Sequence, residues 1–168
     1  TRGDSIIAHR GYSLKILVAD DHALIREALH HLLRQLDQAA TVIEAEDCRR
    51  TYEGVAQHPD LDLLLLDLKL PDGGGMVLLN EFRRDYPTLP IVVLSAFEDA
   101  GTIREVLARG ARGFIPKSSS NDVMLSALRL VLSGGRYVPP EILFSDGAGA
   151  IDAPQPRWQR GRPRVEPT

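Results

Sequence analysis

Three carboxylates, one hydroxyl and one ammonium occupy comparable places along the 168-residue chain: Asp20-Asp21, Asp67, Ser95 and Lys117 each follow a short apolar run. Acids brought together repel and raise one another's pKa unless a cation holds them. Lys117 supplies one positive charge, too little for three acids. A hard divalent ion with oxygen ligands, Mg²⁺, answers the remainder. The chemistry open to such a set is phosphoryl transfer. An Asp carboxylate can attack phosphorus and form an aspartyl phosphate. Mg²⁺ and a lysine can stabilise charge on the transferring oxygens, and a serine hydroxyl can hydrogen-bond the product phosphate.

Asp67 is the pivot of this set. It ends Leu63-Leu64-Leu65-Leu66, a continuous apolar run bounded by turn residues that reads as a strand buried on both faces. The following Leu68-Lys69-Leu70-Pro71-Asp72-Gly73-Gly74-Gly75 cannot continue a central strand, so Asp67 sits where the strand exits. An unpaired charge there is costly. Taken alone, this stretch leaves two readings open: a structural acid at a strand end, or the working group of a site.

The elements that must position these groups follow from periodicity. Lys15–Ala19 reads as a first strand, followed by a helix with apolar residues at Leu24, Ile25, Ala28, Leu29, Leu32, Leu33 and Leu36, a 3.6-residue stripe. Asp21 stands where an N-cap belongs. His30-His31 lies off the stripe and reads as a solvated face, with no third metal ligand at helical spacing. Thr41–Ala45 is half-polar and suits an edge strand. A weaker helix over 48–57 ends at His58-Pro59. The leucine strand follows at about 62–66. The triple glycine turns into a helix marked by Met76, Leu78, Leu79 and Phe82. Pro90–Leu94 is a fourth strand ending in Ser95, and a modest helix over 99–109 closes on Gly110. Gly113-Phe114-Ile115 is a fifth strand, ending at Pro116-Lys117. A fifth helix over 120–133 opens with Ser119 and Asp122 spaced as a capping box. Its apolar stripe is wider than one sheet face needs, which leaves room for a partner surface.

Five strands alternating with helices make an α/β fold, a parallel sheet with helices on both faces. Right-handed crossovers and a change in strand order place one crevice at the C-terminal strand edge, where all four strand ends converge.

The acid pair Asp20-Asp21, Asp67 ahead of Leu70-Pro71-Asp72-Gly73, Ser95-Ala96 and Lys117, in this order, resemble the receiver domain of two-component response regulators, over about residues 14–134. Gly110–Ser118 and Ser133–Ile142 resemble the NarL/FixJ/LuxR branch. The resemblance implies a (βα)5 doubly wound, five-stranded sheet of the flavodoxin/CheY-like kind. It implies that Asp67 accepts phosphate from a sensor histidine kinase, that Asp20, Asp21, Asp67 and the Lys69 carbonyl surround Mg²⁺, and that Ser95 and Lys117 contact the phosphoryl group. Phe114 is then the aromatic whose position tracks Ser95, by packing alone because it lacks a phenol hydroxyl. The implied output is a helical surface controlling dimerisation and transcription, in a phosphoacceptor that loses its own phosphate rather than a turnover enzyme. Lys69 and Phe97 occupy positions that tune that loss in the family. Pro116 precedes Lys117, whereas many receivers carry proline after the lysine.

Composition agrees. With 43% apolar and 26% charged residues the chain is that of a globular protein, and a single Cys48 excludes a disulfide framework and fits a cytoplasmic setting. Cys48 itself reads as a surface or half-buried thiol. No apolar run reaches the length of a membrane span. The net charge of −3 divides into −6 over residues 1–156 and +3 over 157–168, an acidic body with a basic tail. Residues 1–13 read as a flexible leader and 135–168 as a linker and tail, with no helix-turn-helix following, so DNA would be reached only through a C-terminal domain absent from this chain. Arg160-Gly161-Arg162-Pro163-Arg164 resembles an AT-hook core, but a plain basic linker is the better explanation, because such short matches arise easily in Arg/Pro-rich tails. A haloacid-type phosphatase wants a second Asp two places after the nucleophile, where this chain has Lys69. A dinucleotide site lacks its G-x-G-x-x-G. A receiver-fold interaction module without phosphorylation is the remaining alternative.

Overall fold

The computed structural model describes residues 13–72, 74–96 and 99–144. The leader, the basic tail with its AT-hook-like core, and Phe97 lie outside them. Strands β1 (Lys15–Ala19), β2 (Thr41–Ala45), β3 (Leu63–Asp67), β4 (Ile91–Ser95) and β5 (Gly113–Pro116) alternate with helices α1 (Ala23–Leu36), α2 (Cys48–Gln57), α3 (Gly75–Asp85), α4 (Ala100–Ala108) and α5 (Asn121–Leu132). The strands form one parallel sheet in the order β2-β1-β3-β4-β5. The chain therefore moves outward from β1 to β2, then returns to the other side of β1, and the crevice opens between β1 and β3.

Alternation along the strands divides the core. Leu17, Leu64, Leu66, Ile91, Val93 and Phe114 face α2, α3 and α4. Ile16, Val18, Leu63, Leu65, Val92, Leu94 and Ile115 face α1 and α5. The leucine run is needed because both faces of β3 are covered: Leu63 to Leu66 are all at most 1% exposed. β2, with its exposed Thr41 and Glu44, is the edge strand its sequence suggests.

Helix ends follow local chemistry. Asp47 caps α2 by accepting from the Arg50 N–H at 2.7 Å, and the Asp99 carboxylate caps α4 by accepting from the N–H groups of Gly101 and Thr102. Gly110 takes φ +100° just beyond α4, the left-handed conformation that ends helices most cheaply with glycine. Two caps differ from the sequence reading. Residue His22, not Asp21, occupies the N-cap position of α1 and gives no side-chain cap; the Asp20 carboxylate takes the His22 N–H at 2.8 Å and holds the acid pair ahead of the helix. At α5 the cap is Ser120, accepting from Val123 N–H, while Ser119 lies in the preceding turn, its N–H donating to the Pro116 carbonyl.

The α1 stripe is narrower than its sequence suggests: Leu24 is 80% exposed and Ala28 is also exposed. On α5, Val123 and Leu130 remain exposed, so part of the wide stripe is left uncovered. After α5 the chain stays on the sheet edge, where Tyr137 N–H donates to the Arg112 carbonyl and its own carbonyl accepts from Phe114 N–H. No helix among the described residues is long and apolar enough to cross a membrane.

Candidate functional site

Strand register builds the site. Ala19 of β1 pairs with Leu66 of β3, so the next residue on each strand, Asp20 and Asp67, reaches the same edge side by side. Asp67 pairs with Leu94 of β4, and Ser95 pairs with Pro116 of β5. Lys117 N–H then donates to the Ser95 carbonyl at 2.9 Å, which seats the lysine at the end of the fourth neighbouring strand. Asp20, Asp67 and Ser95 are buried, at 1%, 3% and 1% exposure.

Lys117 reaches back across the crevice. Its Nζ lies 2.8 Å from Asp20 Oδ2 and 3.0 Å from Asp67 Oδ2. Burial works against its charge, but the two carboxylates outweigh that cost and raise its pKa above the ordinary lysine value. It is an ammonium throughout the physiological range. The other Asp67 oxygen, Oδ1, accepts from the Lys69 N–H at 3.0 Å, a turn in which the side chain bonds the backbone two residues on. Asp67 is thus held from both sides, and Lys69 itself points an exposed side chain away from the core.

The tight approach of α3 completes this turn. A Cβ on Gly75 would stand 2.5 Å from the Asp67 carbonyl oxygen and 2.6 Å from Leu68 Cα. Only glycine lets α3 begin this close to the strand end, and Gly75 N–H donates to the Leu68 carbonyl.

Asp20, Asp21, His22 and Asp67 each offer one ligand atom within 4.8 Å of all the others. His22 Nδ1 lies 3.1 Å from both Asp20 Oδ1 and Asp21 Oδ1. Three carboxylates here gather around the Lys117 ammonium, and two of the three are buried, where uncompensated charge is costly. Hard oxygen donors in that excess suit a hard divalent cation. Of the residues singled out from sequence, Asp20, Asp21, Asp67 and Lys117 come together at this crevice, and Ser95 lies at the adjacent strand end. Phe114 is buried on the α3–α4 face, paired with Val93. His22 was not foreseen as part of the cluster; its place directly after the acid pair was the only signal available.

A parallel sheet wound to both sides, with acids at the ends of its two central strands and a lysine closing over them, defines a receiver-type α/β module. Residues 16–129 match the family model of the response regulator receiver domain, and the chain belongs to that family. Among curated proteins it is 40% identical over 129 residues to the glycerol metabolism activator of Pseudomonas putida, covering 77% of this chain and 58% of that protein. It is 32% identical over 133 residues to the oxygen regulatory protein NreC of Staphylococcus carnosus, covering 79% and 61% respectively. The chain spans about three-fifths of the length of these relatives. Among solved structures, a LuxR-family two-component response regulator from Aurantimonas aligns with a TM-score of 0.72 at 25% identity, over 79% of this chain and 94% of that one. These relatives lie in the NarL/LuxR branch of response regulators.

Proposed function

We propose that residues 14–134 work as a phosphorylation switch, with 1–13 a leader and 135–168 a linker toward an output domain. Asp67 takes a phosphoryl group from a phosphohistidine of a sensor kinase. One Asp67 carboxylate oxygen forms the new O–P bond as the N–P bond breaks; the departing imidazole keeps the electron pair and takes up a proton. Asp20, Asp21, Asp67 and the Lys69 carbonyl would hold Mg²⁺. When bound, that ion supplies positive charge to the phosphoryl oxygens.

The chain's own groups do the rest. Lys117 shifts from sharing two carboxylates to pairing with a phosphoryl oxygen, and the Ser95 hydroxyl donates to another. Phosphorylation adds about −1.5 to −2 charges, enough to bias a two-state surface, and Ser95 with Phe114 carries that bias. The output is dimerisation and transcription, reaching DNA through a C-terminal domain in a cytoplasmic regulator. The aspartyl phosphate is lost by self-hydrolysis, tuned by Lys69 and Phe97; the chain is not a turnover enzyme.

The observation that supports this reading best is the shared lysine: a buried strand-end acid, Asp67, held by the same ammonium that holds its neighbour Asp20. The test is intact-mass measurement after incubation with Mg²⁺ and acetyl phosphate. One added phosphoryl group, removed by hydroxylamine and missing in Asp67→Asn, is expected. Equal incorporation in Asp67→Asn would move the acceptor elsewhere.

A further inference from the structure

Arg26 lies outside the cluster just described, yet it holds the backbone on which that cluster stands. It is the fourth residue of α1, and its side chain is only 15% exposed. A cation in the first turn of a helix opposes the helix dipole, so helix stability does not explain its presence. Its contacts do. Nη1 donates to the Asp20 carbonyl at 2.7 Å, and Nε stands 3.4 Å from Glu44 Oε1 on the neighbouring edge strand β2. His30, one turn further along α1, places Nε2 3.5 Å from the same Glu44 oxygen.

The Asp20 carbonyl belongs to the peptide unit that joins Asp20 to Asp21. The N–H of Asp20, in the peptide unit before it, donates to the Ala45 carbonyl at 3.0 Å, and Asp20 Oδ1 accepts from the His22 N–H. Every polar backbone group of Asp20 is therefore committed, one to β2 and one to Arg26. A guanidinium suits this place because one arm, Nη1, hydrogen-bonds the carbonyl while its charge, with a buried Nε that makes no hydrogen bond, faces the Glu44 carboxylate. Arg26, ion-paired with Glu44, thus lies against the carbonyl of the peptide between the two acids.

We infer that Arg26 is a positioning residue for cation binding: it preorganises Asp20 and Asp21 for a divalent ion without itself touching that ion. This inference rests on the reading of the acid cluster as a cation site. It makes a prediction opposite in sign to simple electrostatics. Removing a positive charge beside an acidic cluster should strengthen cation binding if only the field matters. Loss of preorganisation should weaken it.

The experiment is titration of the chain with Mg²⁺, followed by calorimetry and by backbone amide shifts, in wild type, Arg26→Met and Arg26→Lys. Met keeps the apolar stem and removes the charge and the donors. About a five- to tenfold weaker Mg²⁺ affinity is expected for Arg26→Met, the scale of one ordinary hydrogen bond lost. The Asp21 amide resonance should shift before any metal is added, because its peptide carbonyl has lost its donor. Arg26→Lys, with charge but no fork, should recover part of the affinity and remain weaker than wild type. Saturable wild-type binding with equal or tighter binding in Arg26→Met overturns the inference while leaving the cation site standing. If Arg26→Met fails to fold, Arg26→Lys decides, equal or tighter binding again overturning it. Absence of Mg²⁺ binding in the wild type overturns both this inference and the reading beneath it.

Discussion

Asp67 and Asp72 lie five residues apart in the same chain segment, and they meet opposite fates. Asp67 is buried at the end of β3, beside a second buried acid, with one lysine between them. Asp72 is exposed and rests on the start of α2, where its oxygens accept from the N–H groups of Cys48 at 2.7 Å and Arg49 at 3.4 Å. Those backbone N–H groups, unpaired within the helix, hold the Asp72 carboxyl below the usual carboxylate range. Asp72 is electrostatically settled: its charge meets donors in kind, and nothing further is called for. Around Asp67 the acids outnumber the cations. The two carboxylates are distinguished here by local charge balance, and it is this imbalance, more than burial, that supports the proposed role of Asp67.

Substitution should separate the two acids cleanly. Asp67→Asn is expected to abolish phosphoryl incorporation entirely while leaving the thermal midpoint unchanged or higher, because it removes one charge from a crowded cluster. Asp72→Ala is expected to keep incorporation but lower Tm by about 3–5 °C, the effect of a lost helix-terminus partner. Intact mass and thermal unfolding read both. If Asp72→Ala stops incorporation with the fold intact, the division between structural and working acid fails.

Lys117→Met probes the same balance from the cation side. Mg²⁺ binding should persist or tighten, since the ion no longer competes with an ammonium. The rate of phosphoryl uptake should fall by about 100- to 1,000-fold, the scale for losing one preorganised donor to the developing charge. An unchanged rate would remove Lys117 from the mechanism. Gly75→Ala perturbs the segment between the two aspartates instead. Its Cβ would meet backbone atoms of Asp67 and Leu68, which cannot swing aside as a side chain can. A loss of about 1–3 kcal/mol is expected from urea unfolding, with slower phosphoryl uptake because the Asp67–Lys69 turn must shift. Unaltered stability would show that α3 can retreat from the strand end at no cost.

The convergence of Asp67 with its neighbours was legible in the sequence, and the setting of Asp72 was not. Four leucines running into Asp67 state both the burial of β3 and its exit point, and the other strand ends repeat the pattern at Asp20, Ser95 and Lys117. Once the sheet order is parallel and doubly wound, their convergence follows. What escaped depends on contacts between elements distant in sequence. Asp72 looked like a turn residue because nothing local shows that α2's first N–H groups lie against it. Arg26 was one more charge on a helix until Glu44 and the Asp20 carbonyl were placed beside it. The helices α1 and α5 each begin one residue later than the sequence reading, after turns at Asp20–His22 and Pro116–Ser119. Leu24 lies in the apolar period of α1 yet remains exposed, since periodicity reports which face is apolar and not how far along the helix the sheet extends.

Cys48 gives the finest test of the Asp72 clip. The sequence suggested a surface or half-buried thiol, but Cys48 opens α2 with only 8% exposure. Burial, and then the hydrogen-bonded Asp72 carboxylate, push its pKa up to about 11. Because the folded state favours the neutral thiol, ionisation favours unfolding. The stability this group contributes is intact below its ordinary pKa of 9.0 and is lost as pH rises through about 11. Alkylation by iodoacetamide at pH 8 should therefore be slow in the native protein, since the thiolate is the nucleophile. In Asp72→Ala the acceptor and its negative charge are gone, while most of the burial remains. Cys48 should then alkylate faster, by about two- to fivefold under conditions where the variant stays folded. Equal rates in the two proteins would mean that burial alone sets the thiol's pKa, and that Asp72 serves the helix backbone without touching the side chain beneath it.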